Sequence, residues 1–315
     1  MAEPSKAVLV TGCSSGIGHA TALRLARSGW TVYASARRPE TLAELADAGC
    51  RTLTLDVTDA DSMRAAVETV EQAEGAVGVL INNAGYSQSG AIETVPMQAV
   101  RRQFETNVLG LVQLTQLVLP KMRAQRWGKI VNLGSMGGRL TFPGGGCYHA
   151  TKYALEAISD ALRFELRGFG IDVVLLEPGL ITTEFGAAAT ASMAATADMA
   201  GGRTADGGVA DGGTTDDGSA DGGPAEGTAD AAADPYAHFN ATVGAVTAGA
   251  YDGPMRHFGA GPERVAKVIE RAITSRRPPA RITVTPSAKV LLATRRLLSD
   301  RAWDAAMRAQ FPQPG

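Results

Sequence analysis

Seven short runs rich in Val, Ile and Leu, at 6–11, 30–36, 51–55, 77–82, 129–134, 171–176 and 281–285, are separated by longer segments of helical period. Runs that are continuous rather than alternating belong to strands covered on both faces. A parallel sheet joined by crossover helices meets that requirement. Helices are expected at 16–28, 39–48, 59–74, 97–125, 148–168 and 262–275. The βα order therefore predicts an α/β fold class: a doubly wound parallel sheet of about seven strands in three α/β/α layers. A length of 315 residues suits one such domain.

One stretch does not fit this rhythm. Residues 187–234 are dominated by Ala, Gly, Asp and Thr, with Ala-Asp-Gly-Gly recurring at 205, 210 and 220. They carry nine acidic side chains against the single Arg203. Such a composition cannot build a core, so it reads as a disordered acidic insertion. Its period of five and its acid spacing match neither calcium-binding β-helix repeats nor an EF-hand loop. The formal net charge of −2 thus conceals a mildly basic remainder, whose cations are too scattered to form a nucleic-acid surface. No run of about twenty apolar residues and no signal-peptide pattern appears, so a cytoplasmic protein with no membrane partner is expected. Cys13, Cys50 and Cys147 lack paired or metal-ligand spacing and read as small buried residues, and no metal is expected.

Two local patterns carry chemistry. The string Thr11-Gly12-Cys13-Ser14-Ser15-Gly16-Ile17-Gly18 joins the first strand to the first helix. Gly12 permits a tight turn, Gly16 lets backbone approach a pyrophosphate, and Gly18 lets helix pack on sheet, while the helix N-terminus offers oriented N–H groups. Tyr148 and Lys152 stand one helical turn apart, thirteen positions after Ser135. An ammonium on the same helix face stabilises a phenolate and draws down a pKa that is ordinarily ~10. The phenol then exchanges a proton with an alcohol or carbonyl oxygen.

The spacing T-G-x-x-x-G-x-G, the later Asn82-Asn83-Ala84-Gly85, and Ser135 with Tyr148-x-x-x-Lys152 together resemble the short-chain dehydrogenase/reductase family. The resemblance covers residues 6–186 closely and 236–310 loosely. It implies a Rossmann-type sheet and catalysis by Ser135, Tyr148 and Lys152 with Asn107 in support, the last holding a water that links Lys152 to solvent. It also implies that Asn83, Ala84 and Gly85 line the nicotinamide-ribose side. Pro178 and Gly179 would lead into a loop in which the Ile181 backbone and the Thr183 hydroxyl hold the carboxamide. Asp56, followed by Val57, would meet the adenine. At the end of the second strand, Ala36 is followed by Arg37 and Arg38 where a carboxylate would select NAD. A guanidinium clamps a 2'-phosphate, so NADP(H) is the expected cofactor.

The family chemistry is hydride transfer between nicotinamide and a carbonyl carbon, Tyr148 protonating the alkoxide while Ser135 hydrogen-bonds it. Substrate walls are expected from 86–96, 138–147 and the region after Thr183, with Leu140, Phe142, Pro143, Phe185 and Tyr86 supplying apolar surface. The 139–147 segment and the basic tail 295–303 are similar to the hydroxysteroid-dehydrogenase-like branch, which implies a lipophilic ketone, aldehyde or alcohol. A cofactor-binding redox sensor of the same fold is the alternative, although it would not need the Tyr–Lys pair. His149 lacks an acid partner for hydrolase chemistry and reads as a polar helix residue near the substrate mouth. Helices 97–125 and 148–168 carry apolar stripes, some of which must face the sheet; in the resembled family these two helices form a dimer-building bundle, so the resemblance implies a homodimer or homotetramer.

Overall fold

The computed structural model describes residues 3–183, 235–252 and 259–314. Its seven strands are β1 (Val8–Val10), β2 (Val32–Ala36), β3 (Arg51–Thr54), β4 (Val79–Asn82), β5 (Gly128–Leu133), β6 (Ile171–Glu177) and β7 (Arg281–Thr283). They form one sheet in the order β3-β2-β1-β4-β5-β6-β7, and every pairing is parallel. All seven strands lie where the apolar runs place them.

The helices that cover the sheet follow from the same pattern: α1 (Gly16–Arg27), α2 (Ala43–Asp47), α3 (Ala60–Glu74), α4 (Met97–Phe104), α5 (Gly110–Ala124), α6 (Gly146–Leu166), α7 (Ala237–Asp252), α8 (Pro262–Thr274), α9 (Pro286–Leu297) and α10 (Asp300–Arg308). Asp59 caps α3, its carboxylate accepting from the amides of Asp61 and Ser62. The segment expected as one helix over 39–48 instead begins as a 3-10 turn, Pro39–Leu42, before α2. Likewise the helix expected over 97–125 is interrupted by a π-helical turn at Glu105–Leu109. The basic tail 295–303 spans the end of α9 and the start of α10.

Alternation along each strand sends its side chains to two cores. Val8, Val10, Ala34 and Val131 face one side, where Ile269 and Ile273 of α8 and Leu25 of α1 pack against them. Leu9, Leu80 and Ile130 face the other, against Met63 and Val67 of α3 and Leu114, Val118 and Met122 of α5. Leu114, Val118 and Met122 are fully buried, and each such side chain contributes roughly 1.5–3 kcal/mol. Residues 187–234, read as a disordered insertion, and Phe185 lie outside the described residues. Among the described residues no helix is long and apolar enough to cross a membrane.

The strand order reverses direction between β1 and β4, the position at which parallel sheets open a crevice beyond their carboxyl ends. The residues singled out from the sequence emerge at that edge.

Candidate active site

The turn after β1 is built for close approach. Gly12 and Gly16 have φ of +71° and +59°, a left-handed conformation that side chains with a Cβ resist. A Cβ on Gly18 would stand 2.3 Å from the Gly12 carbonyl oxygen and 2.5 Å from Asn83 Nδ2, so helix and loop meet there without room for a methyl. Ser15 is the N-cap of α1 but its side chain makes no capping bond, and the first turn holds no acidic residue. Exposed Ser14, half-buried Ile17 and the free N-terminal amides of α1 complete a concave cradle suited to an anion.

Asn83 braces the glycine loop. Its Nδ2 donates to the carbonyls of Thr11 (2.8 Å) and Gly12 (3.0 Å). The amides of Asn83 and Ala84 both donate to Thr11 Oγ1 at 3.0 Å. This segment therefore laces β4 to the glycine loop, and Gly85, the next residue but one, is left facing Asn107 and Lys152.

Those two side chains converge. A Cβ at Gly85 would lie 3.1 Å from Asn107 Oδ1 and 4.0 Å from Lys152 Nζ. Asn107 sits in the π-helical turn, a distortion that swings one residue out of helical register and is frequent at functional sites. Its Nδ2 donates to Tyr86 O (2.9 Å) and Thr151 Oγ1 (3.1 Å), and its Oδ1 accepts from Tyr86 N (3.1 Å). The Asn107 side chain thus clamps the Gly85–Tyr86 segment onto α6.

Lys152 is buried, and its Nζ donates to the Leu133 carbonyl at 2.7 Å, just before Ser135. Burial brings its pKa down from 10.5 to about 8. The same ammonium lies 5.7 Å from the Tyr148 ring centroid. Ser135 leads into a 3-10 turn, Met136–Gly138, with its Oγ accepting from Gly137 N at 3.0 Å. Met136 N donates to Pro178 O (2.9 Å), which ties that turn to the loop after β6.

In that loop Ile181 forms a parallel bridge with Ala260, and its side chain joins the core beside Ile17. Thr183 reaches over the glycine loop, its Cβ 3.5 Å from where a Cβ of Gly16 would be. Gly179 packs tightly against Thr285 and Ser287. At the far end, Arg37 and Arg38 are exposed beyond β2, with no ion-pair partner among the described residues. Asp56 Oδ1 accepts from Thr58 N (2.9 Å) and Thr58 Oγ1 (2.8 Å), and buried Val57 follows it toward α5.

His149, read from sequence as a polar helix residue near the substrate mouth, contacts Phe142 of the cavity wall. It is buried, its Nδ1 donating to Gly137 O at 2.9 Å and its Nε2 accepting from Phe142 N at 3.4 Å. Burial holds its pKa below 6.5 despite that carbonyl. The neutral ring therefore staples the segment after Ser135 to α6. Trp303 of α10 pins the same segment from outside, donating from Nε1 to Thr141 O at 3.4 Å. Sequence reasoning missed both contacts, because a histidine on a helix and a tryptophan in a tail carry no partner information of their own. A cavity of about 690 Å³ opens beside this segment, with Ile92, Phe142, Pro143, Phe239, Trp303 and Met307 among its walls. Burial raises the Cys147 thiol, so it stays protonated at neutral pH.

A glycine cradle at the switch point of a parallel sheet, beside a buried lysine and a tyrosine, defines a dinucleotide-binding α/β oxidoreductase. The chain belongs to the short-chain dehydrogenase family, whose model matches residues 6–194. It is 42% identical over 181 residues to the uncharacterized oxidoreductase YbbO of Escherichia coli, covering 57% of this chain and 67% of that one. It is 41% identical over 185 residues to an NADPH-dependent 3-dehydrocapnine reductase of Ornithobacterium rhinotracheale, covering 56% and 65%. The structure of a short-chain dehydrogenase from Streptomyces avermitilis superimposes with a TM-score of 0.70 at 31% identity, covering 97% of this chain and 98% of that one. The matched stretch thus spans about two thirds of these two sequence relatives. Membership makes the protein an oxidoreductase that works with a nicotinamide cofactor.

Proposed function

We propose that the protein is an NADP(H)-dependent reductase that interconverts a lipophilic ketone or aldehyde and its alcohol, with Tyr148 as the general acid and base. The observation that carries this reading is the placement of Lys152, buried within one helical turn of Tyr148 and facing Gly85 and Asn107. A lysine retained in such a site at a cost in desolvation has chemical work to do.

The residues present suit the cofactor. The Gly12–Gly18 cradle and the α1 N-terminus would hold the pyrophosphate, Asp56 and Val57 would border the adenine, and Arg37 and Arg38 would take the 2'-phosphate. Ile181 and Thr183 would border the nicotinamide end, with Lys152 toward its ribose. When bound, the cofactor supplies or accepts the hydride. Tyr148 gives its phenolic proton to the oxygen of the carbonyl being reduced, and takes one back in alcohol oxidation. Ser135 hydrogen-bonds the same oxygen and lowers the cost of charge there. The Lys152 ammonium would stabilise the phenolate that follows proton donation in reduction and precedes proton uptake in oxidation.

The neighbouring cavity, whose walls include Ile92, Phe142, Pro143 and Phe239 together with Glu93, Arg295 and Asp304, supports a substrate with a lipophilic part beyond the reacting carbonyl. The 3-dehydrocapnine reductase, by its name a ketone reductase using NADPH, points the same way. Exposed Leu109, Tyr153 and Phe164, on the helices flanking the site, support a homodimer or tetramer built from a second copy of this chain. Light scattering at micromolar concentration tests that assembly, and a monomer would exclude it.

The catalytic assignment is tested with Tyr148→Phe. Turnover of NADPH with an activated aryl ketone is expected to vanish while cofactor binding stays within about twofold. Retention of most activity would overturn it. Arg37→Ala should lower kcat/KM for NADPH at least about tenfold and leave NADH nearly unchanged, because the guanidinium meets only the phosphate. Equal losses with both cofactors would remove the 2'-phosphate assignment.

A further inference from the structure

Behind the Ser135 turn lies a part-buried charge cluster, centred on one fully buried carboxylate, that the chemistry above does not use. Glu177, the last residue of β6, is fully buried. Its Oε1 faces Arg139 Nη1 at 3.4 Å and Arg281 Nε at 3.8 Å, and its Oε2 accepts from Thr283 Oγ1 at 2.8 Å. Arg281, on β7, also binds Glu156 Oε2 (2.8 Å) and Asp160 Oδ2 (2.5 Å), both on α6.

The partners of this carboxylate are the parts that must be mutually aligned. Arg139 follows Ser135 by four residues and ends its turn. Glu177 immediately precedes Pro178, whose carbonyl receives the Met136 amide. Glu156 is one helical turn beyond Lys152 on the helix that carries Tyr148. A Cβ on Gly138 would lie 2.8 Å from Lys152 O and 3.1 Å from Glu156 Cγ, so the turn rests directly on that helix.

Stability alone does not explain the cluster. Taking the Glu177 and Glu156 carboxyls out of water is costly, and apolar side chains of the same volume usually serve a core as well or better. What a buried ion network adds is direction, since a planar guanidinium between carboxylates admits few arrangements. Glu156 also stands against Glu177, and burial together with that neighbouring carboxylate raises its pKa, so the two acids sit as a close pair between the arginines.

We infer that Glu177 is a positioning residue which, through Arg139, holds the Ser135 turn in fixed relation to α6 and the 178–183 loop. The Ser135 hydroxyl and the Tyr148 phenol are thereby aimed at one substrate oxygen. The inference rests on the function proposed above, and its tests are separable from it.

Arg139 is the better probe, because its side chain is 45% exposed and its replacement leaves Glu177 paired with Arg281 and Thr283. With NADPH and trifluoroacetophenone as the probe ketone, Arg139→Met is expected to lower kcat about tenfold and leave KM for NADPH within about twofold. Arg139→Lys should recover part of the loss. In a Ser135→Ala background, Arg139→Met should cost nothing further, because it acts through that hydroxyl. Full activity of Arg139→Met, or losses that multiply in the double variant, would overturn the inference.

Amide exchange supplies a readout independent of turnover. The Met136 and Gly138 amides, bonded to Pro178 O (2.9 Å) and Ser135 O (3.0 Å), should exchange about tenfold faster in Arg139→Met. Unchanged exchange would overturn the inference whatever the activity. An active Tyr148→Phe variant combined with faster exchange would instead sink the catalytic assignment and leave the positioning contact standing.

Discussion

Replacing Lys152 by Met should abolish turnover and raise the melting temperature at neutral pH. The wild-type lysine is buried, and its pKa falls from 10.5 to about 8, so at pH 7 it is charged in both folded and unfolded chains. At about 1.4 kcal/mol per unit, holding that charge inside costs on the order of 3 kcal/mol. Methionine escapes this cost but leaves the Leu133 carbonyl without its 2.7 Å donor, a loss of about 1–2 kcal/mol. The net gain is about 1–2 kcal/mol, or roughly 2–6 °C in a chain of this size. Between pH 8 and 10.5 the unfolded chain keeps a proton that the folded chain has released, so the wild type recovers stability as pH rises. Near pH 10 the advantage of methionine should therefore vanish or reverse. Scanning calorimetry of both proteins at pH 7 and pH 10 decides the matter. A variant that melts lower at pH 7, or a difference that is the same at both pH values, would refute the reasoning.

Gly18→Ala places a methyl 2.3 Å from the Gly12 carbonyl and should cost about 1–3 kcal/mol in melting experiments, with a matching loss of cofactor affinity by titration. Burial lowers the His149 pKa in the fold relative to the unfolded chain, so wild-type stability should fall as pH drops below about 6.5. His149→Gln, which keeps a donor and an acceptor, should flatten that decline in melting curves between pH 7.5 and 5, and an unchanged slope would exclude His149 as its source.

The five inner strands were legible from sequence because a parallel strand sealed on both faces must be apolar, whereas the edge strands β3 and β7, exposed and half-buried, carry Arg and Thr and were placed by the βα order. The glycine cradle was legible for a similar reason, since the φ values of Gly12 and Gly16 leave little choice of residue. What escaped is whatever depends on distant partners. Glu177 and Arg281 are 104 positions apart, and neither residue announces the other. Asn107 was recognised, yet its clamp on Tyr86 and Thr151 depends on a π-helical turn that leaves no mark in helical periodicity. The terminal helices α9 and α10 hide behind their arginines, although Thr285 and Ser299 do cap them.

The contact between Trp303 and Thr141 has a practical corollary. Of the three indoles, Trp30 and Trp127 sit together near Lys6 and Gly170, at the amino ends of the strands, whereas Trp303 alone touches the segment that follows Ser135. With the first two replaced by phenylalanine, the emission of the third becomes a native optical gauge of the catalytic rim, readable without dye or label as ligands come and go.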